Sequence, residues 1–171
     1  MVNAVGDLGT IAAPLVTTVT NVAAQSTDGS VHLQNENSSN PVVLSSMFTL
    51  KNSAFITGVN AGVNASVQAT NDIVLDNSIV AVGDAGLLAN GNISFTAGNV
   101  QAGNTAVIGG RELVGGAGVD VNATSAIIQG ILAVGSQADP LQTAVGNLAG
   151  GSFAGNFFVN NTAPTLNVAN V

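Results

Sequence analysis

Residues 73–83 read IVLDNSIVAVG, and residues 48–58 have already read FTLKNSAFITG. Each phrase opens on a short strand-like run, passes through Asn-Ser and resumes an apolar run that stops at Gly. Alternation with a period of two sends successive side chains to opposite sides, as a half-buried strand requires. The small polar pair between the runs favours a bend, because Asn and Gly accept backbone angles that bulkier residues resist. One phrase therefore encodes strand, corner, strand.

The phrase recurs along the chain. VHLQNENSS begins at Val31, ISFTAGNVQAG at Ile93 and VDVNATSAIIQG at Val119. The third residues of the five copies are Leu33, Leu50, Leu75, Phe95 and Val121, spaced 17, 25, 20 and 26 residues apart. An imperfect period of about twenty residues is the signature of a solenoid whose insertions are absorbed in loops. The reading that follows is all-β: a parallel β-helix of short, imperfect coils stacked about 4.8 Å apart. In such a stack the five third residues are expected to form one inward ladder, with Asn52 and Asn77 stacked at a corner. The competing architecture is a β-sandwich or jelly roll with an exchanged terminal strand, which also shows short strands punctuated by turns. Helical pattern is weak; its best stretches, 10–24 and 138–149, compete with strand-favouring runs such as Thr17-Thr18-Val19-Thr20.

The composition agrees with a folded β protein and excludes several roles. Of 171 residues, 46% are hydrophobic and only 6% charged, the reverse of a disordered chain. Two basic residues, Lys51 and Arg111, face nine acidic ones, for a formal charge of -7. Almost nothing is present to neutralise phosphates, which argues against nucleic-acid binding. No window offers the roughly 20 unbroken apolar residues of a membrane span. Cysteine is absent, so no disulfide framework exists. The N-terminus lacks the positive region of an intact signal peptide. Sparse charge leaves little repulsion between molecules and favours assembly.

The length suits one domain over 1–171. Residues 31–135 form the repeat core. Segments 1–30 and 136–171 read as caps or assembly surfaces, because a stack of coils exposes strand edges at both ends. The last segment holds Phe153, Phe157 and Phe158, half of the aromatic side chains.

The stretches 71–103 and 119–130 resemble the repeats of filamentous-haemagglutinin-type adhesins, secreted bacterial β-solenoids. The resemblance covers about the central half of the chain. It implies a right-handed parallel β-helix, export to the cell surface and a scaffold or adhesive role. The chain is far shorter than such adhesins, and Asn40-Pro41-Val42-Val43 keeps only half of the Asn-Pro-Asn-Gly turn of their secretion domain.

No catalytic, cofactor or metal set emerges from the residues. His32, the single histidine, alternates with Val31 and Leu33 and is expected on the outer surface. Catalysis needs a nucleophile beside a base, or facing carboxylates. Asp72, Asp76 and Asp84 fall close in sequence and would serve a carbohydrate-cleaving cleft if they converged; solvated turns are the plainer reading. GGAGVDVNA at 115–123 resembles a calcium repeat with Asp120 as ligand, but Asn122 occupies the apolar position and no second copy exists. Gly115 and Gly116 then read as turn residues. The only Thr-x-Thr of the ice-binding kind is Thr18-Val19-Thr20, outside the repeats. Sugar stacking is disfavoured by the absence of Trp and Tyr. Sequons at Asn37, Asn64, Asn92, Asn122 and Asn160 would accept glycans in a glycosylating host.

The functional expectation is a non-enzymatic structural subunit of an extracellular filament, pilus-like fibre or surface layer. Its main partner is itself, with a host or neighbouring-cell surface as a second. Assembly would use strand edges or exchange of a terminal segment, 8–24 or 153–168. The alternatives are a polysaccharide-acting or ligand-binding solenoid and a fragment of a large adhesin.

Overall fold

The computed structural model describes residues 1–49 and 54–169. The chain winds as a β-solenoid of about eight turns, with three faces per turn. No α-helix occurs among the described residues, and therefore none long and apolar enough to cross a membrane. The first coil holds β1 (Val2–Ala4), β2 (Leu15–Thr17) and β3 (Asn21–Val22). The second holds β4 (Ala24–Ser26), β5 (Val31–Asn35) and β6 (Val42–Leu44). A hairpin of β7 (Ser46–Thr49) and β8 (Ala54–Thr57) then interrupts the winding. The third coil is β9 (Val59–Ala61), β10 (Ala65–Ala69) and β11 (Ile73–Leu75), and the fourth is β12 (Ile79–Ala81), β13 (Ala85–Ala89) and β14 (Ile93–Phe95).

In later coils the strands run on through the corners. The fifth coil has β15 (Val100–Ala102) and β16 (Thr105–Val114). The sixth is the single strand β17 (Val121–Val134), and the seventh is built on β18 (Leu141–Ser152). The eighth has β19 (Val159–Asn161) and β20 (Asn167–Ala169). All pairings between coils are parallel, whereas the sandwich alternative needs antiparallel neighbours.

Register corrects the expected single ladder. Leu75 pairs with Phe95 on the third face, Val121 pairs with Val100 on the first, and Leu33 pairs with Val67 on the second. All are buried, yet they belong to three ladders. Leu50 and Asn52 lie outside the described residues. Asn77 instead accepts a hydrogen bond from the Ser46 hydroxyl, 3.3 Å away at the base of the hairpin. The described residues of the phrase beginning at Phe48 lie in that antiparallel hairpin, where Ser46 faces Thr57, and not in a coil. On the first face the true period appears: Val59, Ile79, Val100 and Val121 follow one another at 20, 21 and 21 residues.

Six inward rows make the core. The first face contributes Val59, Ile79, Val100 and Val121, beside a row of small residues, Ala61, Ala81, Ala102 and Ala123. The second begins with Ala65, Ala85, Ala106 and Ala126, followed by Val67, Leu87, Ile108 and Ile128. Two alanine rows thus meet across one corner in the middle coils, and Val31, Val145 and Leu148 continue them toward the ends. The third face supplies the bulk with Ile73, Ile93, Leu113 and Val134, and with Leu44, Leu75 and Phe95. Burying each aliphatic side chain contributes about 1.5–3 kcal/mol, which is why a winding of short strands holds without helices.

Corners carry polar side chains whose oxygens accept amide hydrogens from the next coil. Between the first and second faces, Asp7 Oδ1 accepts from the Ser30 amide (2.7 Å), Asn64 Oδ1 from Asp84 (2.8 Å) and Asp84 Oδ1 from Thr105 (3.1 Å). Gly103 sits in this corner because a Cβ there would collide with the Val82 carbonyl oxygen below it. Among the described residues, no buried side-chain polar atom lacks a partner.

Candidate functional site

Asp72, Asp76 and Asp84 do not converge. Asp72 stands between β10 and β11, Asp76 between β11 and β12, and Asp84 between β12 and β13, one at each corner of the triangle. Each carboxylate is bonded to the coil above: Asp72 accepts from the Asn92 amide at 2.7 Å and Asp76 from the Thr96 hydroxyl at 2.6 Å, as Asp84 does from Thr105. They hold coils together and share no cleft.

Asp120 is likewise committed. It is 2% exposed; Oδ1 accepts from the Gly116 amide and Oδ2 from the Gln142 amide, both at 2.8 Å. Burial raises its pKa, against the lowering effect of the two amide bonds. The carboxylate clamps the turn at Gly115-Gly116 to the seventh coil. Among the described residues, no group of three or more His, Cys, Asp or Glu gathers around a common point.

His32 corrects the expectation of an exposed surface residue. It points away from the axis between Val31 and Leu33, yet it is only 6% exposed. The first coil leaves the second face between Leu8, which bridges to Val31, and Leu15, which pairs with Leu33. The excursion of residues 9–14 starts where His32 lies, and the His32 amide donates to the Leu8 carbonyl at 2.8 Å. Its Nδ1 and the Ser66 hydroxyl share a hydrogen bond of 2.7 Å. Burial lowers its pKa from 6.5, opposed by the nearby Asp7 carboxylate.

One concavity was not singled out by sequence. A groove of about 1070 Å³ runs lengthwise where the second face bends toward the third, from Gln34 in the second coil to Ala169 in the eighth. Gly109 and Gly110, then Gly130, then Gly150 and Gly151 line it in three successive coils; Gly151 faces open space, whereas a Cβ at Gly130 or Gly150 would meet the Ala133 or Ile128 carbonyl oxygen. None of the described residues lining it is charged. The side-chain amides of Gln68, Asn90 and Gln129 border it without an internal hydrogen bond. Phe153, 92% exposed, stands at its far end. The available signal was the glycine pairing at 109–110 and 150–151, roughly two periods apart, which reads in sequence only as turn composition.

The two ends of the stack are also candidate surfaces. Among the described residues, β1, β2 and β3 pair only with the second coil, and β19 and β20 only with β18. Segments 8–24 and 153–168 supply part of these terminal coils. On the second face, the row Ala106, Ala126 and Leu148 is buried to 0%, 2% and 5% exposure, and its next member, Val168, is 77% exposed.

Family models, curated proteins and solved structures provide no match to the chain. What the residues and their geometry establish is an architecture: a three-faced parallel β-solenoid with committed corner carboxylates, an uncharged lengthwise groove and open edges.

Proposed function

We propose that this protein is a non-enzymatic structural subunit of an extracellular filament or surface layer, joined end to end by coil-on-coil stacking. The observation that carries the reading is Val168, the exposed continuation of an otherwise dry row. A further coil placed on β19 and β20 would cover it and complete their parallel pairing. The first coil of a second copy meets that need, because β1 and β2 offer the opposite edges of the first and second faces. Head-to-tail contacts of this kind leave two different surfaces free at each step, so growth continues as a fibre.

The sparse charge supports close approach of copies. The resemblance of 71–103 and 119–130 to adhesin repeats supports a place at the cell surface, with a host or neighbouring cell as second partner. The separation of Asp72, Asp76 and Asp84 supports a non-enzymatic reading. In the competing reading, a segment of a longer adhesin, the next coil of the same chain occupies the edge; a native transcript distinguishes the two.

Negative-stain microscopy and sedimentation of the purified chain test the proposal. Filaments or a concentration-dependent ladder of oligomers are expected, and Val168→Lys should abolish them by placing a charge in a joint that must be dry. A chain that stays monomeric at high concentration overturns the reading.

A further inference from the structure

We propose that the lengthwise groove binds an extended, uncharged glycan chain. This inference is independent of end-to-end assembly, because the groove is complete within one copy from the second to the eighth coil.

Three observations select the ligand. First, the lining is uncharged in a chain of net charge -7, so the groove offers neither cations for a polyanion nor carboxylates for a basic peptide. Second, the backbone of its floor is already spent. Strands β10, β13, β16, β17 and β18 pair with one another in parallel, so a peptide strand finds no free ladder to extend. A ligand that bonds through its own hydroxyls does not need one. Third, the side chains that remain free are of the kind that hydroxyls use. Some amides are consumed between coils, as Asn64 is by Asp84 and Asn161 by Val145, whereas those of Gln68, Asn90 and Gln129 at the groove are not.

The dimensions fit as well. Six steps of about 4.8 Å between the second and eighth coils give a track roughly 29 Å long. An extended β-linked sugar advances by a similar step per residue, so successive rings meet successive coils. At Gly151 no side chain covers the strand, so a ring can lie against the backbone there. The sequence argues against sugar binding for want of Trp and Tyr, yet the structure places Phe153 beside the groove with its ring free to stack.

Calorimetric titration of the full chain with cellohexaose and mannohexaose, and with hexagalacturonate as the anionic control, tests the proposal. Saturable binding of a neutral hexasaccharide, insensitive to salt, is expected, with none of the anionic one. Phe153→Ala and the pair Gln68→Ala/Gln129→Ala should each weaken binding roughly tenfold, the loss of about one ring or hydrogen-bond contact. Gly151→Leu should abolish it, since a Cβ at Gly151 meets nothing and the new side chain fills the groove. Circular dichroism verifies that each variant is folded, and the exposed Phe153 position keeps the test valid if Gly151→Leu is not. Failure of both neutral hexasaccharides to bind at millimolar concentration overturns the proposal. So does binding that survives all three changes, or a finding that these changes instead dissolve side-by-side dimers.

Discussion

Two neighbouring faces finish differently at the same end of the stack. On the first face the inward row passes from Val100 and Val121 to Thr143 and then Asn161. Asn161 Oδ1 accepts from the Thr143 hydroxyl (2.8 Å) and the Val145 amide (2.9 Å), and its Nδ2 donates to the Val145 carbonyl (3.1 Å). On the second face the row stays apolar to the last rung and ends on Val168 in the open. One face is sealed by polar groups turned back on their own chain, and the other is left as an apolar step. The difference teaches that the winding need not be finished uniformly, and that any partner is to be sought over the second face.

The largest effect expected is on the apolar row itself. Leu148→Ala should cost about 2–5 kcal/mol in urea denaturation, as a buried rung does, while Val168→Ala should stay within about 0.5 kcal/mol in dispersed protein. Equal costs would mean that Val168 is covered after all. Next comes the sealed face: Asn161→Ala strips partners from a hydroxyl, an amide and a carbonyl, and should cost about 1–3 kcal/mol. A neutral result would make the polar seal incidental.

The smallest effect is expected at the other end of the second face, at His32. Its pKa is lowered, so the folded state holds it neutral while the unfolded chain takes up a proton near 6.5. Its contribution is therefore complete above 6.5 and declines as the pH falls toward and through the depressed value. Thermal melts of His32→Gln should show a shallower loss of stability across that acid window than the parent. Identical slopes would place the titrating group elsewhere.

The class of fold was legible because alternation and recurrence are local properties of the chain. Register was not, and particular residues show why. Leu33, Leu75 and Val121 look alike because every face needs an aliphatic residue pointing inward, so matching by type mixes the three faces. The clearer marker was AGVNA at 61–65, AVGDA at 81–85 and AGNTA at 102–106. It recurs in three successive turns, its alanines pointing inward and its Asn64 and Asp84 each accepting an amide hydrogen of the next coil. The sites were less legible. The corner acids look like catalytic candidates in one dimension because turns concentrate them, and only winding shows that they face apart. The groove is lined by residues about twenty apart on successive coils, which composition cannot reveal.

The hairpin of β7 and β8 carries a last implication. The chain departs at Ser45 and returns at Gly58, and the Gly58 amide donates to the Ser45 carbonyl at 3.0 Å. The positive φ of 64° at Gly58, with the Ser78 backbone pressed against it, lets the return strand drop straight into place. Exit and re-entry are fastened at one point, so the excursion hangs from the shaft like a pennant from a mast. Cargo of a different size spliced there would leave the turns on either side in step.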